Sequence, residues 1–340
     1  MPVIRYLAVI LAGLSLVWSG PATAHSPISE PPPPTQAFED WLADLKAEAA
    51  GTGIDRQTLA ESLDGIAPIP RIIELDRNQP EFSLTFRQYV DRVAPASRIK
   101  RGRRLLAQNR TLLRAISADY GVPPQMIVAL WGIESDFGRL TGGFQVIPAL
   151  ATLAYDGRRS KFFRRELLYA LRIIDEGHIS AAEMAGSWAG AMGQSQFMPS
   201  SFINFAVDRD GDGRKNIWTN RPDIMASAAN LLVGGGWKAG RIWGRPVRLP
   251  KSFNFAVAGL DTRKKLSEWQ ALGIRRMDGR DLPKADMQAS LILPDGPHSA
   301  FLVYDNYRAI LNWNRSHYFA LTAGYLADRI AGKDTVIFKR

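Results

Sequence analysis

Apolar residues recur at helical spacing over most of residues 36–335, and this periodicity limits the possible folds of the chain more than any other feature. Phe38, Trp41, Leu42 and Leu45 fall at i, i+3, i+4 and i+7, and Asp55 stands where it can cap a second helix. A basic helix is predicted over 98–118, ended by Gly121. Pro123-Pro124 then opens a helix that runs to about Asp136, proline being favoured in a first turn. Further helices are predicted at 147–155, 160–176, 199–207, 223–235 and 316–330. Only 245–305 changes texture. Short β-like runs at 253–257, 290–293 and 301–304 are separated by turn signals such as Pro294-Asp295-Gly296-Pro297. No repeat or composition break divides 36–335, so the expectation is one α+β domain, predominantly α-helical, with a small β element.

The first residues read as an address. Arg5 is the only charge among residues 1–24, an apolar run covers 6–18, and Ala22-Thr23-Ala24 supplies a cleavage site. Thirteen apolar residues are too few to cross a bilayer, which needs about 20. A signal peptide over 1–24 and a Pro-rich linker over 25–35 are therefore expected, with a mature chain starting at His25. The chain carries 43 Lys+Arg and 33 Asp+Glu, a net charge of +10 that becomes +9 when Arg5 is removed. Such a balance favours anionic partners, but export argues against nucleic acid. No cysteine is present, which excludes disulfides, thiolate metal sites, a cysteine nucleophile and a lipid-modified N-terminal cysteine. The expectation is a soluble exported protein without a membrane span, periplasmic where the cell has an outer membrane. The four histidines are scattered and form no HExxH. GxSxG and Walker motifs are missing as well, which removes other catalytic classes.

Three constellations carry chemistry. Ile127, Leu130, Trp131 and Glu134 lie at i, i+3, i+4 and i+7, so the Glu134 carboxyl is in line with an apolar stripe. A carboxyl held against apolar groups has a raised pKa and can serve as a general acid; the plain alternative is a helix-end carboxylate bonded to backbone donors. Asp136 is expected to point away, as a helix-end or solvent group. The run GSWAGAMGQSQFMPSSF over 186–202 offers Ser187 and Gln196 as hydrogen-bonding groups and Phe197 and Met198 as apolar surface, which suits a sugar-binding wall or a tightly packed turn. Asp208, Asp210 and Asp212 with Gly213 match the first half of a calcium loop; position 12 is Thr219, and a carboxylate arrives only at Asp223. A solvated Asp-Gly turn is the alternative there. The cluster Arg98, Lys100, Arg101, Arg103 and Arg104 reads as a solvated face more readily than as a binding patch.

The motifs together resemble the lytic murein transglycosylase B family. Trp131-Gly132-Ile133-Glu134-Ser135-Asp136-Phe137-Gly138 is similar to its catalytic segment. Ile147-Pro148-Ala149-Leu150-Ala151-Thr152-Leu153, Arg158-Arg159, GAMGQSQFMPSSF, the DRDGDGRKNIW loop and Asn312-Trp313-Asn314-Arg315-Ser316 extend the match over roughly 36–332. The chain departs from the family in lacking the lipid-modified cysteine, in the far end of the acidic loop, and in Trp313 and Phe319 where tyrosine is frequent. The resemblance implies a lysozyme-like catalytic core. It also implies non-hydrolytic cleavage of the MurNAc-β-1,4-GlcNAc bond of peptidoglycan, leaving 1,6-anhydro-MurNAc ends, with Glu134 as the acid and then the base. It further implies that Ser187 and Asn314 hydrogen-bond the sugar, that Gln196 and Met198 line the glycan groove, and that Arg158 and Arg159 meet the peptide stem; a surface helix start is the alternative for the arginine pair. No cofactor is expected for catalysis, and a structural Ca2+ is expected at Asp208, Asp210, Asp212 and Asp223. A lysozyme-type hydrolase and a non-catalytic peptidoglycan-binding protein are the competing readings, the first lacking a well-placed second carboxylate and the second leaving Glu134 without a role.

Overall fold

In the computed structural model, residues 36–78 and 84–338 are described. The expected signal peptide and linker over 1–35 lie outside them. The described residues gather into two compact units: residues 36–78 with 134–227, and residues 84–133 with 228–338. The boundaries at 133/134 and 227/228 fall inside the helices Pro124–Ser135 and Arg221–Gly234. A boundary inside a helix leaves no linker composition for a sequence reading to detect.

The first unit is built on the helices Val146–Tyr155 and Ser160–Asp175, which pack on each other. Val146–Tyr155 is buried over most of its surface because its sequence, VIPALATLAY, is apolar on every side. The helices Phe38–Gly51, Arg56–Leu63, Pro70–Arg77 and Pro199–Phe205 also belong to the unit. The predicted stripe of the first buries Phe38, Leu42 and Leu45, and Phe38 meets Tyr155 edge-on at 5.1 Å. Asp55 caps the second as expected, accepting the Gln57 N–H at 2.7 Å. A two-residue antiparallel pairing joins Phe144–Gln145 to Ala185–Gly186.

The second unit holds the helices Phe86–Val93, Ala96–Gln108, Arg110–Tyr120, Asp305–Trp313 and His317–Ile330. The basic helix expected over 98–118 is therefore two helices. Asn109 divides them at φ −104°, ψ 19°; it is buried, and its side-chain amide donates to the Leu105 carbonyl at 2.8 Å. Asparagine competes for local backbone groups, which is why it interrupts a helix. Gly121 ends the second helix in the left-handed conformation, φ 66°, as expected.

The β element is a five-stranded antiparallel sheet in spatial order Gly259–Lys265, Gln288–Ile292, Ala300–Val303, Gly244–Arg248, Arg275–Arg276. The runs expected at 290–293 and 301–304 are two of the three inner strands, paired Leu291 to Leu302. The run at 253–257 is not a strand: Phe255–Val257 forms a 3-10 turn capped by Asn254. Gly259–Lys265 (GLDTRKK) escaped sequence reading because an edge strand is rich in charge rather than apolar residues. One face of the sheet covers a core that includes Trp269, Leu291, Leu302 and Tyr304, and Trp269 donates its indole N–H to the Ala289 carbonyl at 3.0 Å. Among the described residues no helix is long and apolar enough to cross a membrane.

Candidate functional site

Glu134 is the one charged side chain in the helix Pro124–Ser135, PQMIVALWGIES. From Met126 to Ile133 every residue of that helix is buried, so it is enclosed on all sides and not only along the predicted stripe. Glu134 itself is half-buried, while Ser135, Asp136 and Phe137 after it are buried. The arrangement leaves one half-buried carboxyl on an otherwise apolar helix.

The chain after Glu134 is bent hard. Asp136 and Phe137 hold φ of 49° and 61°, followed by Gly138 at 82°. Bulky side chains rarely adopt this region. The Ser135 hydroxyl accepts the Gly138 N–H at 3.0 Å and the Ser135 carbonyl accepts that of Leu140 at 2.8 Å, which closes the bend. Asp136 directly follows the helix end, one of its two expected places; it is 9% exposed rather than solvent-facing and is ion-paired with Arg139.

This bend is packed on the segment 186–198. A Cβ at Gly142 would meet the Gly186 carbonyl oxygen at 1.9 Å. The Gln196 amide donates to the carbonyls of Thr141 at 3.1 Å and Gly193 at 2.8 Å, while its Oε1 is buried without a hydrogen-bond partner. Gln196 also has positive φ, 49°; among the described residues the non-glycine residues in that region are Asp136, Phe137 and Gln196. Strain of this kind costs about 1–3 kcal/mol per residue and collects at functional sites.

Within 186–198 the two sequence-level alternatives turn out to be two sides of one element. Ser195, Phe197 and Pro199 are buried, while Gln194, Gln196 and Met198 alternate with them and stay half-buried. The inner side is a packed turn and the outer side offers amides and a thioether. Ser187 is on the packed side. It is fully buried, and its hydroxyl oxygen accepts the N–H groups of Ala191 at 2.9 Å and Ala189 at 3.3 Å. Met198 caps the helix Pro199–Phe205. The fully buried carboxylate of Glu166 accepts the Ser200 N–H at 2.9 Å and steadies the start of that helix. Sequence reading missed Glu166 because its stripe on Ser160–Asp175 is otherwise apolar core.

Arg158 and Arg159 both turn to Asp76, which is 1% exposed; Arg158 also donates to the Asp76 carbonyl at 2.7 Å. Their side chains keep 29% and 20% exposure. Asp76, in the weakly periodic stretch 71–97, gave no sequence signal. Asn314 belongs to the second unit. It is buried, and its side chain accepts the Ser316 N–H at 2.9 Å just before the helix His317–Ile330.

The acidic loop brings three of its four expected residues together. Carboxylate oxygens of Asp208, Asp210 and Asp212 lie within 4.8 Å of one another, an all-oxygen donor set of the type that suits Ca2+. Burial disfavours the Asp208 charge, but the N–H groups of Gly213, Gly211 and Asp212 outweigh it and hold its carboxyl below the ordinary value. Asp223 stands behind the loop. It is fully buried, and its two oxygens accept the N–H groups of Arg209 and Asn216, each at 2.7 Å. Burial raises its pKa; these two hydrogen bonds oppose the rise, and the charges of Asp210 and Asp208 add to it. Thr219 at position 12 accepts from the Asn216 amide at 2.8 Å.

The transglycosylase SLT domain model matches residues 37–328. Membrane-bound lytic murein transglycosylase B of Escherichia coli K12 is 32% identical over 248 residues, spanning 66% of this chain and 68% of that protein. Among solved structures, SltB3 of Pseudomonas aeruginosa in complex with NAG-anhNAM-pentapeptide is 43% identical with a TM-score of 0.86, covering 89% of this chain and 82% of that one. The Escherichia coli lytic transglycosylase Slt35 in complex with calcium is 28% identical with a TM-score of 0.74, covering 85% and 92%. The matched residues 37–328 include Glu134 and the acidic loop, and the chain belongs to the transglycosylase SLT domain family.

Proposed function

We propose that Glu134 is the acid–base catalyst with which this lytic murein transglycosylase cleaves the MurNAc-β-1,4-GlcNAc bond. The observation that carries the reading is the half-buried carboxyl that is the one charge on an otherwise apolar, buried helix. In the first step the protonated Glu134 carboxyl gives its proton to the glycosidic oxygen and the bond from MurNAc C1 to that oxygen breaks. The C6 hydroxyl of the same MurNAc then bonds to C1, and its proton returns to the Glu134 carboxylate. The product is a 1,6-anhydro-MurNAc end and the catalyst is regenerated without water. The substrate's own hydroxyl replaces the second carboxylate of a hydrolase, in keeping with Asp136 being held by Arg139.

The half-buried faces of Gln196 and Met198 meet the glycan, and the unpartnered Gln196 Oε1 accepts a sugar hydroxyl or amide N–H. Ser187 and Asn314, 0% and 5% exposed, act on the sugar indirectly: Ser187 holds the backbone of the wall at 186–198, and Asn314 fixes the start of the helix His317–Ile330. Arg158 and Arg159 offer their exposed margins to carboxylates of the peptide stem. Asp208, Asp210 and Asp212 hold a Ca2+ whose contribution is to brace the loop, with Asp223 securing the loop backbone from behind. The mature protein acts on the cell wall after export.

The test is Glu134→Gln. General acid–base catalysis contributes about 10²–10⁴ in rate, and one residue fills both roles, so peptidoglycan cleavage should fall by about 10⁴ or more with the circular dichroism spectrum unchanged. Mass spectrometry of wild-type digests should find anhydro-MurNAc ends. Retention of activity within about tenfold, or products that are chiefly reducing MurNAc, would overturn the assignment.

A further inference from the structure

The second unit contains a cavity of about 760 Å³ between the strand Gly244–Arg248, the hairpin at 276–278 and the chain end at 333–338. Its charges do not balance. Asp278 is held by Arg280 at 2.5 Å, Asp328 by Lys333 at 2.7 Å and Asp334 by Arg329 at 3.1 Å. Each acidic group in the lining is therefore matched. Arg245, Arg248 and Arg276 remain. Arg245 donates to the Tyr304 hydroxyl at 2.8 Å, a neutral partner. Arg248 and Arg276 form no ion pair among the described residues. Three guanidinium groups facing one cavity repel each other, and a bound anion would relieve that repulsion.

The same lining is apolar where it is not basic. Ile242 and Val336, 39% and 46% exposed, are two of the large hydrophobic side chains left open to solvent, and Met277 lies beside them. A smaller cavity of about 290 Å³ shares Arg248 and Met277 and adds Phe255, 49% exposed. A bare inorganic anion has no use for this surface. A short peptide with a free carboxylate satisfies both parts: forked N–H donors for the carboxylate and exposed apolar side chains for the residues before it.

The geometry points to this cavity as a second, non-catalytic binding site for the carboxylate terminus of a peptide, of the chemical kind borne by a peptidoglycan stem. The inference rests on the peptidoglycan reading for its choice of peptide, but not on Glu134 or on turnover. A site of this kind lets the enzyme hold a stem peptide independently of the sugar being cut, and it uses the basic excess of the chain.

Binding to the wild-type protein is measured by calorimetry with three probes: the free stem pentapeptide, its C-terminal amide, and a peptide-free GlcNAc-MurNAc disaccharide. The free acid should bind at least about tenfold more tightly than the amide, the factor that one charge-assisted hydrogen bond supplies. Arg248→Gln, and Arg248→Gln combined with Arg276→Gln, should weaken the free acid by a similar factor or more while leaving disaccharide binding and cleavage of peptide-free glycan at wild-type values. Arg248 is exposed, so the single variant provides the test even where the double variant does not fold. Arg248→Lys, which keeps the charge but loses the fork, should fall between. Equal affinity for acid and amide, an unaffected Arg248→Gln, or displacement of the peptide by inorganic phosphate with no preference for the acid would overturn the proposal. Failure of wild type to cleave peptide-free glycan would instead count against the catalytic reading, with the peptide result standing.

Discussion

Gly138 lies directly against the side chain of Gln194: a Cβ at position 138 would be 2.2 Å from the Gln194 Oε1. Gln194 is itself fixed by an amide donation to the Trp218 carbonyl at 2.8 Å and by its backbone N–H to the Ile217 carbonyl at 2.9 Å. The bend after Glu134 and the wall at 186–198 are thus set by one close approach. Gly138→Ala should be destabilising by about 1–3 kcal/mol, from positive φ and from the clash together, and should lower kcat more than it raises KM. Adding Gln194→Ala should restore the part of the loss that comes from the clash and leave the backbone part. Thermal melts and kinetics of the four species of this double-mutant cycle measure both parts.

The buried carboxylate of Asp76 between Arg158 and Arg159 separates structural from binding roles. Breaking a buried pair by removing one partner costs about 3–5 kcal/mol. Exposure of the two arginines reduces this, so Asp76→Ala should cost about 2–3 kcal/mol in chemical denaturation. Arg159→Ala should cost less, about 1–2 kcal/mol, because it leaves Asp76 one partner. If the exposed margins meet stem carboxylates, Arg158→Ala should raise KM severalfold for stem-bearing glycan and leave it unchanged for peptide-free glycan.

The acidic loop predicts two different responses to substitution. With weak calcium affinity of about 10⁻⁵ to 10⁻³ M, the melting temperature should rise between EDTA and about 10 mM Ca2+ through stabilisation by RT ln(1 + [L]/Kd). Asp212→Ala should abolish that rise and change little in EDTA. Asp223→Ala should lower the melting temperature in EDTA as well, since it strands the N–H groups of Arg209 and Asn216 whether or not a cation is bound. A wild-type melting temperature that is the same in EDTA and in calcium would mean that the loop is held by its hydrogen bonds alone.

His317 carries a pH dependence. Burial lowers its pKa from the ordinary 6.5, and its Nδ1 lies 2.6 Å from the hydroxyl of Tyr307, which burial keeps protonated as a donor. Between the lowered folded value and 6.5 the unfolded chain binds the proton and the folded chain does not. The unfolded state therefore carries more protons in that window, so this contribution to stability is fully present above 6.5 and is lost as pH falls through it. Denaturation from pH 7.5 downward should show wild type losing stability below about 6.5. His317→Gln should be less stable at pH 7.5 but flatter over the same range.

Local chemistry was legible in the sequence wherever it needs only neighbours along the chain. Asp55 caps its helix, Gly121 supplies the left-handed stop, Pro124 opens the helix of Glu134, and the short β-like runs at 290–293 and 301–304 mark inner strands, because each depends on residues a few positions apart. The resemblance to family motifs likewise singled out Glu134, Gln196 and the acidic triad as candidates. Tertiary structure decided what those residues face. Helical spacing placed Glu134 on a stripe, but only packing encloses the helix from Met126 to Ile133 on all sides and leaves that one carboxyl half-buried. The acidic spacing counted Asp223 as a late ligand, whereas folding turns both its oxygens to the loop backbone. The pairing of Asp76 with Arg158 and Arg159 joins residues more than 80 positions apart. Partners at that separation meet only when the core closes, so no local pattern in the chain encodes them.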